Sequence, residues 1–250
     1  MAVAREQLTD YIGQLLQIDR FKDYCPNGLQ VEGRGQVSRL ATAVTASLAA
    51  VEGAAAAGAD ALLVHHGYFW KSESAPVVGI KKARIARLLA EDINLLAYHL
   101  PLDAHETLGN NAQLGLRLGL VADGRCGEQD MVWLGAPSLP VSLGEFAALA
   151  ARVLGREPLV IGDTGRMLRR VAWCTGGAQG YFHELATRDI DCFVTGEASE
   201  FVTHLARESG VAFIAAGHHA TERYGVQALG THLAERFSLD LVHLDLDNPV

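Results

Sequence analysis

Three short stretches of this 250-residue chain concentrate side chains able to bind cations or move protons: His65-His66-Gly67, His99-x-x-x-Asp103 and His218-His219-Ala220-Thr221-Glu222. Six of the ten histidines fall in or beside them, counting His105. Imidazole and carboxylate donors without thiolate suit divalent zinc, iron, manganese or nickel. In a continuing strand His65 and His66 would face opposite sides, so the chain is expected to leave the extended state there and turn both rings into one cavity. His218 and Glu222 are four apart and share a face of a helical turn. Asp103 and Glu222 each offer two oxygens, which makes them natural bridging or flanking ligands. Glu197 and His99 are candidates for proton transfer or for orienting ligands. Glu197 could equally cap a helix starting near Ala198.

The elements that position these residues are short. Leu8, Tyr11, Ile12, Leu15 and Leu16 recur at helical spacing, so the chain opens with a helix. A turn follows at Cys25-Pro26-Asn27-Gly28. Strands are expected near residues 40–45, 61–64, 95–98, 131–134, 171–174, 192–195, 212–215 and 241–244, with helices filling much of the space between. Ser142-Leu143-Gly144-Glu145 reads as a capping box starting a helix that runs to about Leu154.

The chain also resembles itself. A shift of 131 residues carries Arg39–Gly67 onto Arg170–Ala198 without a gap and lays Asp60-Ala61-Leu62-Leu63-Val64 over Asp191-Cys192-Phe193-Val194-Thr195. A shift of 119 carries His99 onto His218 and Asp103 onto Glu222. The fold class that follows is α/β, with two similar lobes arising by internal duplication, residues 1–124 and 125–250, and a dinuclear metal site in the cleft between them.

With 49% hydrophobic and 20% charged residues the composition is that of a globular protein. A net charge of −8, from 21 basic and 29 acidic side chains, leaves no basic stripe for nucleic acid. No stretch is apolar enough for a membrane span. Four scattered cysteines without a Cys-x-x-Cys pair read as reduced, packed thiols of a cytoplasmic protein. There is no Gly-x-Ser-x-Gly elbow, and Thr175-Gly176-Gly177 lacks the Lys-Ser/Thr of a phosphate loop, so it reads as a turn. Tyr68-Phe69-Trp70 reads either as core or as a stacking wall for a flat base, and Lys81, Lys82 and Arg84 as a solvated helix face.

Six ordered blocks carry a family resemblance: Cys25-Pro26-Asn27-Gly28-Leu29-Gln30, Val64-His65-His66-Gly67-Tyr68-Phe69-Trp70, Tyr98-His99-Leu100-Pro101-Leu102-Asp103, Gly109-Asn110-Asn111, Thr195-Gly196-Glu197 and Gly217-His218-His219-Ala220-Thr221-Glu222-Arg223. In these the chain resembles the GTP cyclohydrolase I type 2 homologue (NIF-three-like) family, above all its YbgI-type bacterial members. The resemblance implies a two-lobed protomer in a ring-shaped homohexamer, with two divalent metal ions held by His65, His66, Asp103, His218 and Glu222. It implies a metal-dependent hydrolase for a small-molecule substrate, a nucleotide such as GTP. A phosphoesterase using the same metals, or a non-catalytic metal-binding scaffold or regulatory protein, are the alternatives.

Overall fold

The computed structural model describes residues 2–250. The chain forms two compact units. One comprises the residues up to Gly109 together with Gly225–Asp247; the other comprises Asn110–Tyr224 with Asn248–Val250. The expected division at 124/125 therefore moves to 109/110, and the lobes are not contiguous. The lobes are not contiguous because the strand Asp240–His243 pairs with Arg39–Thr45, which draws Gly225–Asp247 into the first unit.

In the first unit the strands Asp240–His243, Arg39–Thr45, Ala61–His66 and Asn94–Ala97 run parallel in that order, and Gly28–Val31 pairs antiparallel with Asn94–Ala97. Both faces of the sheet are covered, as parallel strands require. Leu40, Val44, Ala61, Leu63, Leu96 and Tyr98 pack against Leu8, Ile12 and Leu16 of the helix Arg5–Leu16 and against Val226, Leu229 and Leu233. The alternate residues Ala41, Ala43, Leu62, Val64, Leu95 and Ala97 pack against Ala50, Val51 and Ala54 of the helix Leu48–Ala56. The period of two along each strand thus decides which helix each residue meets.

In the second unit Val171–Trp173, Cys192–Thr195 and Ala212–Ala215 are parallel. Leu159–Ile161 pairs antiparallel with Ala212–Ala215, and Val132–Pro137 with Leu120–Cys126 extends the opposite edge, also antiparallel. The helix Leu143–Leu154 lays Phe146, Ala147 and Ala150 on one face of this sheet. On the other face Phe182, Phe193 and Phe213 pack at ring separations of 4.9–6.1 Å.

The two units repeat one element order. Each contains a two-residue strand, Val3–Ala4 or Val141–Ser142, which leads directly into a 12-residue helix and pairs antiparallel with Gln36–Val37 or Met167–Leu168; in the second unit the helix Asn110–Arg117 and the strands Leu120–Cys126 and Val132–Pro137 come first. Each then has an antiparallel edge strand beside three parallel strands in the same spatial order, and the first unit adds Asp240–His243 as a fourth. Even the polar fastening recurs. Asp60 Oδ2 accepts the backbone N–H groups of Ser38 and Arg39 at 2.7 and 2.9 Å while Oδ1 takes Arg34. Asp191 Oδ2 accepts those of Arg169 and Arg170 at the same two distances while Oδ1 takes Arg166.

The shift of 131 holds through the first two parallel strands, since Leu40 pairs with Ala61 as Val171 pairs with Cys192. The shift of 119 is off by one. Ala61 pairs with Asn94 and Cys192 with Ala212, and Tyr98 N donates to Val64 O as Ala216 N donates to Thr195 O. Backbone pairing therefore sets His218 over Leu100 and Glu222 over Ala104. Matching side-chain types one residue away had pulled the alignment out of register.

All eight expected strands are present. The edge strands Gly28–Val31 and Leu159–Ile161 and the hairpin strand Leu120–Cys126 were missed, because each is short or polar on its exposed side. The Ser142 capping box forms as expected, and its helix ends at Leu154 on Gly155 in the left-handed conformation. The four cysteines are buried, and none is in a disulfide. Among the described residues no helix is long and apolar enough to cross a membrane.

Candidate metal centre

The strand Ala61–His66 delivers its last two residues to the first cluster. Both histidines belong to the strand, contrary to the expectation that the chain turns away there. Their rings nonetheless approach to 4.5 Å between centroids, tilted by 45°. His65 is fully buried and its Nδ1 lies 3.0 Å from Tyr98 O. A carbonyl oxygen only accepts, so the hydrogen sits on Nδ1 and the lone pair on Nε2. That Nε2 is 3.5 Å from Asp103 Oδ1, and Asp103 is buried on the short helix Leu100–Ala104. His66 is tethered more loosely, with Nδ1 3.3 Å from Thr45 Oγ1. Gly67 follows because nothing larger fits: an added Cβ would meet Gln30 Oε1 at 2.1 Å and the Ala97 Cβ at 2.5 Å.

His99 joins these two. One ring nitrogen each of His65, His66 and His99 lies within 4.8 Å of the others, a spacing that suits ligands of a common cation. Beyond His99 stands Asp23, buried in the loop before Gly28–Val31. Burial works to raise its carboxyl pKa, but the His99 imidazole and surrounding donors outweigh that and lower it to about 2. Nothing in its spacing singled Asp23 out in the sequence; the signal available was its place two residues before the Cys25-Pro26 turn. Of the aromatic run, Tyr68 is core, its hydroxyl donating to Ala46 O, whereas Trp70 stands edge-on to His99 at 4.9 Å.

The second cluster is built at the start of the helix His218–Phe237. His218 Nε2 is 3.1 Å from Glu222 Oε2, one turn along, and His218 Nδ1 is 2.6 Å from Glu197 Oε1. Glu222 is almost fully buried. Burial opposes charge on His218, but Glu222 and then Glu197 override it and lift its pKa to about 9. An imidazole set between two carboxylates lies where positive charge is favoured, which is what a divalent cation brings. Glu197 bonds His218 and Gln179; the helix Glu200–Ser209 has its N-cap at Ser199, two residues further on.

The Thr175-Gly176 turn forms the wall of this cluster. Gly176 has φ +69°, and a Cβ there would lie 2.1 Å from Glu222 Oε1 and 3.2 Å from His218 Nε2. Buried Asn111, on the helix Asn110–Arg117, holds the turn by accepting the Thr175 N–H at 2.9 Å. Asn111 of the Gly109-Asn110-Asn111 block thus supports the wall of the site.

Within the first unit, then, the structure gathers His65, His66, His99 and Asp103; within the second it gathers Glu197, His218 and Glu222. The donor set is imidazole nitrogen and carboxylate oxygen, each imidazole tied through Nδ1, which is the arrangement that orients metal-binding histidines.

Together these features define a two-unit α/β protein carrying clusters of histidine and carboxylate able to hold metal ions. The Duf34/NIF3 (NGG1p interacting factor 3) family model matches residues 3–249, and the chain belongs to that family. Among its relatives, a Neisseria meningitidis serogroup B protein bearing the name GTP cyclohydrolase 1 type 2 homolog is 54% identical over 249 residues, covering 100% of both chains. One of the same name from Escherichia coli K12 is 49% identical over 244 residues, covering 97% of this chain and 98% of that one. Among solved structures, the protein ybgI, described as of unknown function, superposes with a TM-score of 0.96 at 48% identity, covering 99% of this chain and 100% of that one. HcgD from Methanocaldococcus jannaschii, at 22% identity and a TM-score of 0.85 over 98% of this chain and 99% of that one, shares the fold.

Proposed function

We propose that the protein is a dinuclear metal-dependent hydrolase of the GTP cyclohydrolase I type 2 kind, in which water attacks the imidazole carbon of a guanine nucleotide. In this reading His65, His66 and Asp103 from the first unit and His218 and Glu222 from the second serve two divalent cations, of zinc, iron, manganese or nickel. The cations would supply positive charge and acidify a water. Glu222, with two carboxylate oxygens, would serve both. Glu197 and His99 hold or pass the proton that the water gives up, and later return it to the leaving nitrogen. The observation that carries the reading is the geometry around His65: a fixed Nδ1–H, an Nε2 lone pair, and Asp103 Oδ1 3.5 Å away.

The repeated element order and the paired Asp60 and Asp191 fastenings support descent of the two units from one duplicated ancestor. The protein is further proposed to work in the cytoplasm as a ring-shaped homohexamer on a small-molecule substrate, as the family resemblance implies.

The test measures metal content and rate on the same preparations of wild type, Glu222→Ala and Glu197→Gln, with GTP and then simple phosphoesters, with and without chelator. Glu222→Ala is expected to lose most of its metal and all turnover. Glu197→Gln keeps its metal and slows by about 10²-fold or more, as loss of a general acid or base does. Chelator-sensitive turnover of phosphoesters alone would replace the cyclohydrolase with a phosphoesterase. Full metal occupancy without turnover of any substrate would leave a metal-binding scaffold.

A further inference from the structure

Asp23 is more fully engaged than a loop residue needs to be. Its Oδ1 accepts from His99 Nδ1 at 2.7 Å and from Tyr24 N at 2.6 Å; its Oδ2 accepts from Leu100 N and Asn27 Nδ2, both at 2.9 Å. Asn27 Oδ1 in turn accepts the His99 N–H at 2.8 Å. The backbone and the Nδ1 side of His99 are thus both held, and Trp70, pinned through Nε1 to Gly67 O, stands against the ring. The nitrogen left over is Nε2, and His99 is the third member of the group with His65 and His66.

The second unit contains the same device built from different parts. Glu197 holds His218 by Nδ1 at 2.6 Å, leaving Nε2 toward Glu222. The repeat does not relate the two carboxylates. Asp23 precedes the antiparallel edge strand of its unit, whereas Glu197 follows the middle parallel strand of the other. A carboxylate–imidazole pair that recurs at unrelated positions is not inherited packing. It answers a chemical need that both clusters share.

We propose that Asp23 is a positioning residue that holds His99 in the tautomer bearing hydrogen on Nδ1, so that the Nε2 lone pair is the proton acceptor of the first unit's cluster. The proposal rests on the hydrolytic reading for what the acceptor does, but the tautomer is a property of the metal-free protein. Asp23→Asn should reverse it, and hydrogen-bond arithmetic says why. The Oδ2 side faces two fixed donors, Leu100 N and Asn27 Nδ2, while the Oδ1 side faces only one, Tyr24 N, beside the His99 ring, so the amide oxygen of Asn takes the Oδ2 side. Its NH2 then faces His99 Nδ1, which must accept, and the ring hydrogen moves to Nε2.

The experiment is nitrogen NMR of the histidine rings in metal-free protein, at a pH where the imidazoles are neutral, for wild type, Asp23→Asn and Asn27→Ala. In wild type His99 should show a hydrogen-bearing Nδ1 and a bare Nε2; in Asp23→Asn the two should exchange. Asn27→Ala disturbs the loop but spares the carboxylate, so it should keep the wild-type tautomer. His65, fixed by Tyr98 O, is the internal reference and should stay unchanged throughout. A wild-type His99 carrying hydrogen on Nε2 overturns the proposal without any variant. So does an Asp23→Asn protein with an unmoved tautomer, or one in which the His65 signals change as well, since Asp23 would then be a brace for the loop. Failure to turn over GTP would sink the hydrolase reading and leave these spectra as they are.

Discussion

At corresponding strand ends the two units carry opposite chemistry on the same frame. The first presents three imidazoles and one carboxylate, His65, His66, His99 and Asp103; the second sets a single imidazole, His218, between two carboxylates, Glu197 and Glu222. Strand order, the short strand leading into a helix, and the Asp60 and Asp191 fastenings are held in common. The differences lie in the connections: residues 17–27 precede the edge strand of the first unit, where residues 155–158 suffice in the second. Hydrogen bonds to the backbone preserve the frame, and loops free of that duty supply the reactive groups.

The comparison is open to breakage at several points. The largest effect is expected at the two fastenings, where each aspartate satisfies two backbone N–H groups and an arginine. Asp60→Asn and Asp191→Asn should each cost about 2–3 kcal/mol, since a buried carboxylate leaves donors unsatisfied when its charge and one acceptor are removed. Denaturant titration would show the two losses to be alike; a large inequality would mean that the resemblance is one of appearance. Burial works to raise both carboxyl pKa values, but backbone N–H donors followed by arginine outweigh it, and both lie below the ordinary value. The unfolded chain therefore binds these protons first. This stability is complete above the unfolded carboxyl pKa of about 3.9 and is lost as the pH falls through the lower folded values. Single-site removal should flatten that acid limb by a similar amount in either unit.

A smaller effect is expected at the two matching 12-residue helices. Ser142 caps one through a full capping box, while Ala4, at the matching place with a similar extended backbone, has no side-chain cap. Ser142→Ala should lose about 1 kcal/mol, and Ala4→Ser should gain part of that amount, both read by thermal or denaturant melts. The smallest effect is expected where the units differ inside the core. Tyr98 and Ala216 hold equivalent backbone positions, but the buried Tyr98 hydroxyl has no hydrogen-bond partner among the described residues. Tyr98→Phe should therefore be neutral or stabilising by up to about 1 kcal/mol. A loss of more than that would show that the hydroxyl has a partner after all.

Much of this was legible in the sequence, for reasons that can be traced to particular residues. The parallel strands announce themselves because Ala61-Leu62-Leu63-Val64 and Cys192-Phe193-Val194 are buried on both faces and so read as unbroken apolar runs. The Ser142 box is local chemistry and needs no tertiary knowledge. The edge strand Gly28–Val31 is half exposed, polar at Gln30 and bent by a bulge, so its pattern is weak. The interleaving of the units was invisible because it depends on the pairing of Asp240 with Arg39, a contact no local pattern encodes. Asp23 was passed over for the same reason: its meaning arises from His99, 76 residues later.

That pairing of Asp240–His243 with Arg39–Thr45 carries a consequence for synthesis. As the chain leaves the ribosome, Arg39–Thr45 can join Ala61–His66 early, yet its other edge stays open until Asp240–His243 has been made. An exposed parallel strand flanked by apolar residues is an invitation to the wrong neighbour. The nascent protein is thus vulnerable until that strand arrives, and a fragment ending after Gly109 would never escape that state. Premature termination should yield aggregates rather than a half-sized functional protein, and trigger-type chaperones should find their binding site on the early strands until the last one arrives.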